Sequence, residues 1–382
     1  MKFRGSAARE QETGARCRRS APATVIVLPK HFTMGQDMRA MVLRGKDLKV
    51  EEIAVPKPGP MQVLAKVLAC GICGSDLHAA KYMDDMIAAS KMSGRTAWDT
   101  LDQSKGIVMG HEFVAEVVEA GPGAEAWAVG SRVTSMPVLI APEQPNGFLS
   151  IGYSPETPGA YGEYVVMSAP MLLRVPDGLP NRVAATTEPC AVGLHAVREG
   201  KMQPGEHVVV MGAGPIGLMT LLWLKKEGVK HVTVSDFAPA RRALAEKLGA
   251  DLVINPAETD VLEAVTQVAG GAPPVVFECV GVAGTLRLAM ELVNRGGRII
   301  VVGVCMKEDR IFPLVGINKQ LTMQFVLGYT AAEYAEALGA LGDRSIDTAP
   351  MVTRIVGLDE LPAAFEALAE PTDCKVVLEF KA

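Results

Sequence analysis

The sequence predicts an α/β protein in two parts: a β-rich first part, then a doubly wound parallel sheet. Three observations carry this. From Arg39 onward, short apolar runs are broken by Gly and Pro, including Pro56, Pro58 and Pro60, the punctuation of strands and turns. From about Val183, strand and helix patterns alternate, as in βαβ units. At the first such unit, Gly212-Ala213-Gly214-Pro215-Ile216-Gly217 follows the apolar run Val208–Met211 and opens a helical pattern. A chain of 382 residues is also too long for one ordinary core.

The organisation expected is an N-terminal extension over 1–37, a β-rich part over 38–184, the parallel sheet over 185–329 and a return to the first part over 330–382. The extension interleaves Arg4, Arg9, Arg16, Arg18 and Arg19 with small and polar residues, so it has little to bury and reads as disordered; Met34 or Met38 is an alternative natural start. Strands are expected at Ala40–Leu43, Leu48–Ile53, Val63–Leu68, Phe113–Glu119, Arg132–Pro137 and Tyr161–Met167. Between His78 and Gly110 the text is partly helical, with Met83, Met86 and Ile87 on one face, either a satellite helix or a wall of a pocket. Six further strands follow, from His207–Met211 to Leu321–Leu327, with helices near Pro215–Glu227, Pro239–Leu248, Asp260–Val268 and Ala283–Asn294. A final strand is expected at Lys375–Phe380.

Composition narrows the function. The formal net charge of −5 is mild, which argues against nucleic acid or an anionic membrane as the main partner. No apolar run is long enough to span a bilayer. Seven scattered cysteines do not make a disulfide framework in a chain this long, so reduced thiols and a cytoplasmic location are expected. Cys70 and Cys73 form one C-x-x-C pair, but its flanks give a redox role little support.

The glycine run has the strand–turn–helix setting that a dinucleotide fingerprint requires. Gly212 permits the tight turn, Gly214 the approach of a pyrophosphate and Gly217 close packing of helix on strand. Pro215 and Ile216 open the helix, whose N-terminus attracts phosphate. Asp236 ends the next strand, where a carboxylate accepts ribose hydroxyls and repels a 2′-phosphate; this favours NAD over NADP. Arg241, with Arg242, is the feature that could reverse that preference.

Cys73, His111 and Glu188 offer a thiolate, an imidazole and a carboxylate from separate loops, a donor set suited to a catalytic zinc with an open position. Each alone has a bland reading: a buried thiol, a core histidine, a carboxylate at a helix start. Cys190, two positions after Glu188, is an alternative ligand.

The segments GICGSDLH (Gly71–His78), Gly110-His111-Glu112 and the EP-x-x-V-G-x-H-A stretch from Glu188, followed by GAGPIG, resemble the medium-chain zinc alcohol dehydrogenases, in the sorbitol, butanediol and threonine dehydrogenase branch. The resemblance runs from about residue 39 onward. It implies a GroES-like catalytic domain and a Rossmann domain with a cleft between them, one catalytic zinc, a small-molecule alcohol substrate and a homo-oligomer, dimer or tetramer. By position, Cys73, His111 and Glu188 match the ligand set, and Glu112 a carboxylate that exchanges with a ligand in some members. Asp76 matches the group that orients the ligating histidine, and Ser75 and His78 a proton path. The chain departs from the family in three places. Met136 to Pro158 holds no cysteine, so no structural zinc is expected; Ser131 replaces a usual Asp; and the spacing from Cys73 to His111 is long. The function expected is hydride transfer between a secondary alcohol or diol and NAD. A zinc-free quinone or enone reductase and a non-catalytic NAD-binding protein are the alternatives.

Overall fold

Val208, Val209, Val210 and Met211 are all buried, and their alternation explains the central sheet. Val208 and Val210 pack into one core with Leu218, Leu221, Trp223 and Phe277. Val209 and Met211 pack into another with Val265, Val276, Ala289 and Ile299. A strand with apolar side chains on both faces needs a layer on each, which is the requirement of a parallel sheet. In this computed structural model, which describes residues 36–94, 105–144 and 146–381, the sheet has six strands. Their spatial order is Leu252–Ile254, Val232–Ser235, Val208–Met211, Val275–Glu278, Arg298–Val301 and Thr322–Phe325, and every pairing is parallel. The order reverses direction between Val208–Met211 and Val275–Glu278. Ligands of such sheets bind at the carboxyl ends of the strands beside that reversal, where the glycine turn lies.

The first part is built on the strand Gln62–Gly71. It pairs antiparallel with Glu112–Ala120 on one side and with Lys375–Glu379 on the other. Arg132–Ser135, Tyr164–Ser168, Leu172–Arg174 and Val352–Val356 complete a seven-stranded sheet. Asp37–Arg44, Asp47–Ala54 and Ile107–Val108 form a smaller sheet that shares its core. Residues 1–35, on which the expected disordered extension falls, lie outside the described residues; Asp37 already belongs to a strand, paired with Ala54.

The α/β class and the six parallel strands agree with the sequence analysis, with ends shifted by a residue or two. The helix Gly74–Met92 is longer than the Met pattern suggested, with a kink at Tyr82 (φ −131°, ψ 33°). Among the elements with no counterpart in the sequence analysis are the helix Thr187–Glu199, the hairpin Val138–Ile140 with Phe148–Ser150, and the strand Val352–Val356. Thr187–Glu199 is mostly buried, which blurs the one-sided apolar period that marks a surface helix. No helix among the described residues is long and apolar enough to cross a membrane.

Tyr334, on the helix Ala331–Gly342, fastens the chain after the parallel sheet to the first part. Its buried hydroxyl lies 2.6 Å from Thr134 Oγ1 and 2.9 Å from the Ser135 carbonyl oxygen. Tyr334→Phe would leave these groups short of a partner. It is expected to lower stability by about 1–3 kcal/mol, read as a shift in the urea unfolding midpoint.

Candidate active site

Cys73, His111 and Glu112 come together because two neighbouring strands end side by side. Gly71 is paired across the sheet with Glu112, and the chain leaves Gly71 through Ile72 to Cys73, the N-cap of Gly74–Met92. His111 follows Gly110, whose φ of +96° suits glycine; a Cβ there would lie 2.8 Å from the Tyr161 backbone nitrogen. Ligand atoms of the thiol, the imidazole and the Glu112 carboxylate all lie within 4.8 Å of one another.

The surroundings test whether this group suits a cation. His111 Nδ1 is 3.2 Å from Asp76 Oδ1. Burial disfavours a charged imidazole, but the Asp76 and Cys73 charges outweigh it and carry the His111 pKa well above the ordinary value. The pocket therefore favours positive charge beside a thiolate, an imidazole and a carboxylate, which is the donor chemistry of zinc. A carboxylate behind the ligating histidine also fixes its tautomer and orientation. The residues fit the metal.

Asp76 is fully buried and its contacts are complete. Oδ2 accepts from Tyr161 Oη at 2.7 Å and from the Cys73 backbone N–H at 3.1 Å, while Oδ1 accepts from Tyr153 Oη at 2.9 Å. Although desolvation opposes ionisation, His111 and these donors hold its pKa below the usual range. Ser75 Oγ lies 2.8 Å from Tyr153 Oη. His78 stands one turn further along the helix, and its Nδ1 is buried with no hydrogen-bond partner among the described residues. Burial lowers the His78 pKa.

Glu112 is also fully buried, and both its oxygens lie 2.8 Å from Lys375 Nζ, which donates as well to the Ile72 carbonyl at 3.0 Å. Gly71 makes room for this pair, because a Cβ there would sit 2.2 Å from Glu112 Oε2. Glu188 lies in the first turn of Thr187–Glu199 and is buried. Burial pushes its carboxyl up to about 7; His111 opposes this and Glu112 adds to it. Glu188 thus stands near the group, while Cys73, His111 and Glu112 are the three whose ligand atoms converge among the described residues. Cys190 is buried beside Trp223, and burial pushes its thiol up to about 12, so it stays protonated.

The glycine turn has the cradle a dinucleotide needs. Gly212 has a φ of +92°, and a Cβ on Gly217 would sit 1.9 Å from the Gly212 carbonyl oxygen. Pro215 and Ile216 open the helix Pro215–Lys226. Around Gly214 the space is open, with only Arg241 Nη1 at 3.9 Å from its Cβ direction. Arg241 Nε is buried with no hydrogen-bond partner among the described residues, an orphan donor beside the place where a phosphate would lie. Asp236 accepts from the backbone N–H of Ala213 at 2.8 Å and of Ala238 at 2.7 Å, which leaves further acceptor sites on the carboxylate.

Sequence reasoning did not find Lys375, Tyr153 or Tyr161. Lys375 opens an apolar strand and has no partner nearby in the chain. The two tyrosines fall in a stretch that shows only turn signals and the start of a strand.

A parallel sheet with this turn, beside a Cys–His–carboxylate group, describes a metal-assisted dehydrogenase. Residues 59–177 match the alcohol dehydrogenase GroES-like domain and residues 215–343 the zinc-binding dehydrogenase domain. The chain is 33% identical to (R,R)-butanediol dehydrogenase of Bacillus subtilis, over 83% of this chain and 91% of that one. It is 30% identical to sorbitol dehydrogenase of the same organism, over 91% and 98%. Among solved structures, a protein of Sinorhizobium meliloti described as a zinc-binding dehydrogenase and bound to NADP superposes with a TM-score of 0.78, at 27% identity, over 90% of this chain and 100% of that one. The chain belongs to the zinc-dependent medium-chain alcohol dehydrogenase family. It is accordingly an oxidoreductase that acts on a small-molecule alcohol with zinc and a nicotinamide cofactor, and the zinc-free reductase reading is not the one supported.

The Glu112–Lys375 pair can be tested by itself. Lys375→Met would leave a buried carboxylate without its counter-charge, and it is expected to cost about 3–5 kcal/mol of stability. The measurement is the urea unfolding midpoint of the zinc-free chain.

Proposed function

We propose that the chain oxidises a secondary alcohol or vicinal diol by hydride transfer to NAD, with a single zinc per chain. One observation carries the reading: a thiol, an imidazole and a carboxylate within 4.8 Å of one another, in a chain that also has the Gly212–Gly217 turn. Cys73, His111 and Glu112 would hold the ion, with Glu188 beside them as a second carboxylate able to take its turn. When bound, zinc supplies Lewis acidity to the alcohol oxygen and the nicotinamide ring takes the hydride. Asp76 keeps His111 in the orientation that presents its other nitrogen. Ser75 accepts the proton from the alcohol, and His78, whose pKa burial lowers, is neutral near pH 7 and able to relay it.

NAD is preferred over NADP in this reading, because Asp236 is a buried carboxylate at the strand end that repels a 2′-phosphate. The absence of cysteine from Met136 to Pro158 supports the single zinc. A homo-oligomer belongs to the same proposal. The parallel sheet ends in an open edge, Thr322–Phe325, and Phe312, Ile317, Phe325 and Leu327 around it are exposed, an apolar surface suited to a second copy. Free thiols at all six described cysteines suit a cytoplasmic location.

Two measurements test the proposal. Cys73→Ala should lose bound zinc, and its turnover of 2,3-butanediol or sorbitol, the substrates named for the relatives, should fall by more than about 100-fold with NAD affinity retained. Full turnover by metal-free protein would refute the zinc assignment. The ratio of kcat/KM for NAD over NADP should exceed about 10 in the natural chain and shrink in Asp236→Ala, since each lost factor of ten is about 1.4 kcal/mol; a ratio below one would overturn the NAD preference.

A further inference from the structure

The loop between the hairpin and the strand Tyr164–Ser168 lies directly on the backbone that precedes His111. Gly159 N–H donates to the Val108 carbonyl at 2.8 Å, Ala160 N–H to Gly110 at 2.8 Å and Tyr161 N–H to Met109 at 3.0 Å. There is no slack in this contact, because a Cβ on Gly159 would lie 2.4 Å from the Met109 oxygen. Two tyrosines of the loop reach Asp76 from opposite sides, Tyr161 on Oδ2 and Tyr153 on Oδ1. Tyr153 does more than Tyr161. It shares Oδ1 with His111 Nδ1, its ring lies 5.3 Å from the imidazole at 40°, and its hydroxyl is 2.8 Å from Ser75 Oγ.

We propose that Tyr153 is a positioning residue of the metal centre, tying the cysteine-free lobe of residues 136–158 to His111, Asp76 and Ser75 at once. The proposal rests on the zinc reading above. A phenol has one proton. The hydroxyl is aimed as a donor at both Asp76 Oδ1 and Ser75 Oγ; whichever takes the proton, Ser75 Oγ is held beside Asp76 with its own proton free to leave as it accepts another. The same bond and the ring contact limit how far His111 can swing. A residue that orients a ligating histidine from behind typically changes metal affinity or activity by about 10–100-fold when lost.

The test compares three zinc-loaded proteins: the natural chain, Tyr153→Phe and Thr157→Val. Thr157 Oγ1 donates to the Ser150 carbonyl at 2.9 Å within the same lobe, so T157V loosens the lobe without touching Asp76. The deciding readout is the rate of zinc release to the chelating dye 4-(2-pyridylazo)resorcinol, with kcat on 2,3-butanediol and KM for NAD measured alongside. Y153F should release zinc about 10–100-fold faster and lose kcat by a similar factor, with KM for NAD within about twofold, while T157V behaves as the natural chain. Zinc release from Y153F at the natural rate overturns the proposal. So does an equal loss in T157V, or a Y153F that no longer binds NAD, since either would make the effect one of general packing. A natural chain that carries no zinc overturns both this proposal and the reading it rests on. A zinc-loaded natural chain with an unchanged Y153F overturns this proposal alone.

Discussion

Asp76 is a carboxylate kept ionised with none of its surface in water, and the active site is arranged to make that possible. A buried charge is tolerated only when its lone pairs are met by donors. The donors here come from far apart in the chain, the backbone N–H at Cys73 and the hydroxyls of Tyr153 and Tyr161, with the His111 ring nitrogen 3.2 Å away. Satisfying this one group therefore sets the start of a helix, the seat of a loop and the rotation of an imidazole together. Glu112 presents the same problem and meets it with an ammonium, Lys375.

The nucleotide half follows a simpler rule. Alternate side chains of Val208–Met211 enter different cores, so the strand is fixed in register by packing on both sides. The turn that follows then has no room for anything but glycine at Gly217. Rigid packing below and open space at Gly214 are two results of the same short stretch.

This contrast explains what the sequence could reveal. The parallel strands were legible because short continuous apolar runs alternating with helical patterns are written locally. Cys73, Asp76, His111 and the glycine turn were legible because their motifs are contiguous. Thr187–Glu199 was not, since burial of most of its residues blurs the amphipathic period. The convergence of Glu112 with Cys73 and His111 was not either, because it depends on where two strands end in space. Lys375 lies 263 positions from the carboxylate it neutralises, and no local pattern can announce such a pairing.

That separation also bears on biosynthesis. Glu112 is translated early, whereas its counter-ion arrives only after the complete parallel sheet has been made. Domains tend to fold from the N-terminal side as they emerge from the ribosome. A nascent chain that has made only its first part would have to keep Glu112 hydrated rather than enclosed, with the edge of Gln62–Gly71 still open where Lys375–Glu379 will pair. The catalytic pocket is thus sealed last, by a strand that crosses back after the nucleotide unit is in place.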